Sequence, residues 1–391
     1  MDPALEHTIV HQFDPAEHIA GGVHGFITDL IRLAPDRHRF RIIGVDAVGG
    51  RRLGTWAIAE VAGREVSFLP VARLSAGRER RVPHTLRLIG GLLVYRPRIT
   101  SDFVHAHRGE TGIAVSAAFR RVPLVQFVHT DAAEAMRHRT ESFWRYLPRT
   151  HLFAESVAVR RAAAAWVYNA EAARRLGASA PNVRAGQNWY DDAVFRAREG
   201  VRRDELTVGW IGRLEPSKDP LRAVGVFAEL ARRGVRFRGW FAGSGTLGDA
   251  VRREVEAHGL TGRVSLHGTL EPSGVARLLE DTDVLLVTSL WEGQPRAVLE
   301  ALGAGVPVVS TAVGDVPELV QEGVSGCISR SGTAGELAEL VVKAAELSDR
   351  DGIAATVASH RASQVIGTLF AELERLPRPV DALSAPVPRG K

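Results

Sequence analysis

Two successive series of short apolar runs, each run followed by a helical pattern, constrain this chain more than any other feature. In the first half the runs fall at 8–13, 39–45, 101–107, 123–129 and 163–168. The series restarts at 206–212 and continues at 235–242, 264–268, 284–288 and 306–310. Strands that alternate with helices in this way form parallel sheets covered on both faces. A chain of 391 residues exceeds one ordinary core and accommodates two. The expected fold is α/β, with two Rossmann-like doubly wound parallel-sheet domains facing a central cleft. The first domain is placed at 1–190 and the second at 204–353, with a polar, aromatic linker at 186–203. A Pro-rich tail at 377–391 is expected to be disordered.

Composition excludes several classes. No apolar run approaches the roughly 18 residues that cross a bilayer. The opening Met1-Asp2-Pro3-Ala4-Leu5-Glu6 lacks the basic and apolar regions of a signal peptide, so a cytoplasmic location is expected. The lone Cys327 cannot form an internal disulfide, in keeping with a reducing compartment. The net charge of +5 is uneven: residues 1–200 carry +8 and the remainder −3. Nearly all the cations are Arg, with lysines only at 218, 343 and 391, a bias read as the base composition of a GC-rich genome. No RNA-binding motif, zinc-finger spacing or basic-aromatic ladder accompanies it, and no nucleic-acid partner is expected.

In open α/β sheets ligands bind beyond the carboxyl ends of the strands, so the loops there must name the chemistry. The most informative loop runs from Thr288 through Glu292, Gly293, Gln294, Pro295 and Arg296 to Glu300. Gly293 permits a turn, and Pro295 fits a first helical position, where a missing amide hydrogen is harmless. The free amides at 295–297 would then face the cleft, ready for diphosphate or sugar oxygens. Glu292 lies at the cleft mouth and Glu300 about one and a half turns into the helix, so the two reach different parts of one ligand. A carboxylate suits a vicinal diol such as ribose. The competing reading makes Glu292 a helix-dipole partner and Glu300 a surface charge. A second loop, 209–219, carries Arg213 and Lys218, two cations five residues apart that can clamp a pyrophosphate. Two solvated loop charges are the alternative. A third, Gly243-Ser244-Gly245-Thr246-Leu247-Gly248, formally fits the dinucleotide fingerprint, but the next strand ends on His267 rather than an acid. Close backbone approach of Gly243 to a nucleotide fits equally well.

The 288–310 segment resembles the Glu-x7-Glu motif of the retaining GT-B glycosyltransferases of family four, and the likeness continues through Gly314-Asp315-Val316-Pro317-Glu318 and Glu322-Gly323-Val324-Ser325-Gly326. It is strong over 205–330 and weaker over 8–130. The resemblance implies a GT-B fold in which the first domain binds the acceptor and the second a nucleotide-diphosphate sugar, such as a UDP- or GDP-sugar, with no other cofactor and no metal. It assigns Arg213 and Lys218 to the diphosphate, Glu300 to the ribose and Glu292 to the sugar, with Gly243, Gly293, Gln294, Pro295 and Arg296 around the donor. Gln294 stands where the family usually has an aromatic residue or leucine, and Arg296 where it usually has an apolar one, which bears on the identity of the sugar. A final helix at 354–376 is expected to cross back to the first domain.

In the first half, Gly21 and Gly22 precede a helix and resemble the family's N-terminal glycine loop near the donor phosphate. A plain strand–helix turn is the other reading. His129 ends a strand, and the resemblance assigns it to the donor sugar beside the reacting carbon; a strand-capping histidine is the bland account. His105 and His107 lie on one strand face without a third ligand of sensible spacing, and are read as structural or acceptor-side. Arg73, Arg78, Arg80, Arg81, Arg87, Arg96 and Arg98 surround the apolar 88–94 stretch, which suggests peripheral contact with an anionic membrane. A buried helix with a basic rim is the alternative. The expected reaction is transfer of a sugar to a polysaccharide, lipid-linked or natural-product acceptor. A sugar-nucleotide epimerase, a phosphorylase, or a non-catalytic scaffold of the same fold would share these loops.

Overall fold

The computed structural model describes residues 4–17, 22–74, 84–129, 148–198 and 204–378. The chain divides into two compact units, the first built from most of the described residues up to Gly186 together with those from Ile366 on, and the second from Gln187–Val365.

The first unit holds β1 (Leu5–Val10), β2 (His38–Asp46), β3 (Ala57–Val61), β4 (Arg64–Arg73), β5 (Phe103–Ala106), β6 (Leu124–Val128), β7 (Ala164–Val167) and β8 (Val183–Ala185). They form one sheet in the order β3-β4-β2-β1-β5-β6-β7-β8, parallel except for the β3–β4 hairpin at its edge. That hairpin escapes the sequence pattern because β3 leaves Ala57, Ile58 and Glu60 exposed and so has no apolar face to read. The central strands β5, β6 and β7 are buried end to end, as strands covered on both faces must be.

The second unit holds β9 (Leu206–Ile211), β10 (Phe237–Ala242), β11 (Val264–Leu266), β12 (Val284–Val287), β13 (Val308–Thr311) and β14 (Gly326–Ser329). All neighbours are parallel, in the order β11-β10-β9-β12-β13-β14. Counted within the unit this is 3-2-1-4-5-6, the doubly wound Rossmann order. The period of two along each strand splits the core into two layers. Phe241, Leu286 and Val309 pack on one face with Phe227 and Leu230 of the helix Pro220–Arg232, whereas Trp240, Leu285 and Val308 pack on the other with Val298 and Leu302 of the helix Arg296–Gly303. The reversal of strand order falls between β9 and β12, so their carboxyl ends frame the crevice where such a sheet takes its ligand.

The expected single helix at 354–376 is instead three pieces: Arg350–Ala355, a short 3-10 turn at Ala358–His360, and Ala362–Glu374. The break at Arg361, which is extended, lets Tyr190 pair with Arg361 across a β-bridge. Of the anticipated tail, residues 379–391 lie outside the described residues, as do 199–203 of the linker.

Candidate functional site

β9 ends at Ile211 and is followed by Gly212 and Arg213, whose side chain is exposed and makes no ion pair or hydrogen bond among the described residues. The chain then makes the short 3-10 turn Pro216–Lys218, and Asp219, in a left-handed conformation (φ 44°), caps the helix Pro220–Arg232 by accepting the N–H of Arg222 at 3.2 Å. This turn is tied to the end of β12. Buried Thr288 accepts the Trp210 indole N–H at 3.0 Å, and its hydroxyl donates to the carbonyls of Lys218 (3.0 Å) and Asp219 (2.8 Å). The Leu290 N–H donates to the Ser217 carbonyl at 2.9 Å. Buried hydroxyl and indole groups must find partners, and here they use each other to lock two loops together.

The lock carries Lys218 to Glu292. Its ammonium lies 2.5 Å from Oε1 and 2.6 Å from Oε2 of Glu292, a carboxylate that is itself buried and also accepts the Ser289 hydroxyl at 2.6 Å. Ser289 is held in turn by Thr311, whose hydroxyl donates to the Ser289 carbonyl at 2.7 Å, and the Asp315 N–H donates to the Gly293 carbonyl at 3.0 Å. The ends of β9, β12 and β13 therefore converge on one ion pair at the point where strand order reverses. Charge-assisted contacts of this kind are short and directional.

The neighbouring residues refine the sequence reading. Pro295 is the cap before the helix Arg296–Gly303 rather than its first residue, and it has no N–H, so the helix start offers the amides of Arg296, Ala297 and Val298. Arg296 and Glu300 lie one turn apart on that helix, 3.6 Å between guanidinium and carboxylate. Gln294 is turned to the segment after β8: its amide oxygen accepts the Asn188 N–H, and its backbone carbonyl accepts the Asn188 amide at 2.7 Å. Gly243 is required, but by the protein itself. With φ at 134°, a Cβ there would lie 1.9 Å from the Gly212 carbonyl oxygen, so close packing of the β9 and β10 ends accounts for the glycine without a nucleotide.

Gly21 lies outside the described residues, while Gly22 opens the helix Gly22–Arg32 with empty space where a Cβ would stand. His129 follows β6 and meets His107 at the end of β5, ring nitrogen to ring nitrogen at 2.9 Å. The two rings stack at 5.2 Å, and the Tyr168 ring stacks on His129 at 5.3 Å. Burial first, and the nearby Arg108 cation second, push the His129 imidazole down to about 3; burial likewise holds His107 well below the usual imidazole range. Both rings are therefore neutral at physiological pH, one donating and the other accepting.

A second set of histidines was missed as a set by the sequence reading. Glu374 accepts from His38 Nε2 at 3.1 Å, His38 Nδ1 meets His7 Nε2 at 2.8 Å, and His7 Nδ1 meets His105 Nε2 at 3.0 Å. A carboxylate only accepts, so in the all-neutral chain every histidine donates from Nε2 toward Glu374. His105, His7 and His38 sit on the adjacent strands β5, β1 and β2, and only strand order brings them into a row. Among the described residues no group of three His, Cys, Asp or Glu could hold a metal ion. Of the basic run, Arg78, Arg80 and Arg81 lie outside the described residues. The helix His84–Tyr95 buries Thr85, Leu88, Gly91 and Leu92 but leaves Leu93 and Val94 61% and 74% exposed. Among the described residues no helix is long and apolar enough to cross a membrane.

The model of the family Glycosyl transferases group 1 matches residues 205–346. D-inositol 3-phosphate glycosyltransferase of Segniliparus rotundus is 30% identical over 245 residues, which cover 58% of this chain and 54% of that protein. The protein of the same name from Mycobacterium leprae is 30% identical over 159 residues, 40% of this chain and 37% of its own length. The chain thus matches about half, or less, of the length of these curated relatives. Among solved structures, sucrose-phosphate synthase from Thermosynechococcus elongatus superposes with a TM-score of 0.76 at 17% identity, covering 95% of this chain and 99% of the other. HepE of Anabaena, solved with UDP and glucose, superposes with a TM-score of 0.69 at 18% identity, covering 95% and 100%. The architecture is GT-B, two Rossmann-like units in one chain.

Proposed function

We propose that this chain, whose residues 205–346 belong to the group 1 glycosyltransferases, moves a sugar from a nucleotide-diphosphate donor such as a UDP- or GDP-sugar to a glycan, lipid-linked or small-molecule acceptor. The observation that carries the reading is the Lys218–Glu292 pair at the strand-order reversal of the second unit, with the exposed Arg213 at the end of the neighbouring strand. The Anabaena structure holding UDP and glucose supports a nucleotide sugar as donor, and the named inositol-phosphate relatives support transfer to an acceptor.

In this reading Arg213, Lys218 and the amides opening the helix Arg296–Gly303 take the diphosphate, Glu300 the ribose and Glu292 the sugar, with Gly293, Gln294, Pro295 and Arg296 shaping the donor loop. His129, kept neutral by burial, is assigned to a sugar hydroxyl as hydrogen-bond partner. The acceptor oxygen attacks the anomeric carbon on the face from which the phosphate leaves. The bond to the phosphate oxygen breaks, and that oxygen takes the acceptor's proton, so the anomeric configuration is retained and no protein nucleophile is needed. The cations stabilise the charge that develops on the leaving diphosphate, which makes a divalent metal unnecessary. These are the features of family four within the group, and polysaccharide synthesis in the cytoplasm is the setting they suit. Proton NMR of the product's anomeric coupling tests the assignment: transfer only with acceptor present, unchanged by EDTA and with the donor's configuration, supports it, and an inverted product or turnover of donor alone overturns it.

The exposed Leu93, Val94 and Tyr95, beside Arg87, Arg96 and Arg98, favour one addition, peripheral contact with the anionic inner face of a membrane.

A further inference from the structure

Gln294 is engaged in a way that its place in the donor loop does not require. Its side-chain oxygen accepts the Asn188 N–H, and the Asn188 amide returns a bond to its backbone carbonyl. Asn188 stands just past Gly186, where the chain leaves the first unit. The carbonyl of Asn188 accepts His360 Nδ1 at 2.8 Å, and from there the segment is laced to the chain that leads back to the first unit after Val365. The Tyr190 N–H donates to the His360 carbonyl at 3.1 Å and the Ala362 N–H to the Tyr190 carbonyl at 2.9 Å. Asp192 accepts both the N–H (3.1 Å) and the hydroxyl (2.8 Å) of Ser363. The same segment grips the far end of the donor-loop helix, since the Tyr190 ring lies where a Cβ on Gly303 would come within 2.4 Å.

The donor loop therefore has two competing attachments. On one side Glu292 is held by Lys218; on the other Gln294 is held by Asn188. A diphosphate that recruits the Lys218 ammonium takes it from Glu292, and only such a differential contact can shift an equilibrium between loop positions. Because Gln294 is two residues on, a shift of the loop is passed to Asn188 and through His360 to both crossing segments.

Resting on the donor reading above, we propose that Gln294 is a positioning residue that transmits occupancy of the Lys218–Glu292 site to the two segments where the chain passes between its units. Coupling of this kind needs a physical path and a demonstrated effect, not proximity alone. The path here runs through five hydrogen-bonded residue pairs, each within the second unit.

Hydrogen exchange of the full chain with and without UDP, GDP, ADP and dTDP, alongside calorimetry of the same samples, tests it. Asn188→Ala removes the side-chain amide that donates to the Gln294 carbonyl, and His360→Ala removes the ring that meets the Asn188 carbonyl; neither residue is assigned to the donor. The expected result is that a nucleotide binds the wild type and slows exchange over 188–195 and 358–365, while both variants bind it and lose that slowing. A nucleotide that binds the wild type without slowing those segments, or slows them equally in both variants, overturns the coupling and leaves the donor reading standing. Loss of nucleotide binding in Asn188→Ala also overturns it, since the segment would then be building the loop rather than receiving from it. If none of the four nucleotides binds the wild type, the donor reading fails and takes the coupling with it.

Discussion

Lys218 and Glu292 face each other across the end of the second sheet, with the ammonium within 2.6 Å of both carboxylate oxygens. Seventy-four residues separate them in sequence, and the pairing depends on Thr288 holding the Lys218 turn against the end of β12. A charge pair at a strand-order reversal is poised to be opened by a ligand of either sign.

On the proposed donor assignment, replacing Lys218 or Arg213 by Ala removes a charge-assisted contact to phosphate worth about 1.5–3 kcal/mol, or roughly 10- to 150-fold in affinity. Calorimetry with the preferred nucleoside diphosphate should show each loss. Glu292→Ala should behave oppositely toward the free diphosphate. It releases Lys218, so binding holds or tightens, while sugar transfer is lost. Weaker diphosphate binding in that variant would contradict the competition between Glu292 and phosphate.

Thr288→Val keeps shape and deletes the hydroxyl that serves Trp210, Lys218 and Asp219. The buried indole N–H is then unpaired, and a cost of about 1–3 kcal/mol is expected in denaturant unfolding. Nucleotide affinity should fall with it, because the Lys218 turn loses its anchor. A variant as stable as the wild type would show that the lock does not hold the turn.

How much of this was legible in the residues alone follows from where each signal is stored. The parallel strands announce themselves through apolar runs, and the loop from Glu292 to Glu300 through its glycine, proline and spaced acids. The direct contact of Lys218 with Glu292 does not, because it is set by tertiary register. Gly243 is ambiguous for a related reason: a glycine demanded by the Gly212 carbonyl and one demanded by a ligand look identical in sequence. The histidine row depends on β2, β1 and β5 being neighbours, an order that no local pattern encodes. The β3–β4 hairpin is edge structure with little burial on β3, so its residues carry almost no periodic signal.

The buried histidines make stability pH-dependent with a defined sign. His7, His11, His38, His105, His107 and His129 all have imidazoles lowered in the folded state, with burial the largest cause; His105 and His129 reach about 3. The unfolded chain, with imidazoles near the ordinary value of about 6.5, binds more protons below that pH, so stability is full above it and falls as pH drops toward 3. Each histidine contributes up to about 1.4 kcal/mol per pH unit in that window. Thermal melts from pH 8 to 5 should show a falling midpoint below about 6.5; a flat profile would contradict the neutral, buried assignment.

Glu374 anchors the row. Burial raises its carboxyl, but Arg37 and His38 outweigh this and hold it below the usual range. Glu374→Ala leaves the His38 Nε2–H without its acceptor and should cost about 1–2 kcal/mol in urea unfolding. A change smaller than a few tenths would mean that water replaces the carboxylate without penalty.

Membrane contact is tested by flotation with vesicles of anionic phospholipid. Val94→Asp should reduce the bound fraction, and neutral vesicles should bind little. Equal recovery with neutral and anionic vesicles would remove this part of the account.

The central claim is that Lys218 and Arg213 receive a nucleoside diphosphate in the second unit. Its most direct test is a thermal-shift screen of UDP, GDP, ADP and dTDP on the wild type, on Lys218→Ala and on Arg213→Ala, since a ligand that binds only the folded state raises the midpoint by mass action. At least one nucleotide should raise the wild-type midpoint, and each substitution should diminish the shift. No shift with any of the four, or a shift that survives both substitutions, would contradict it.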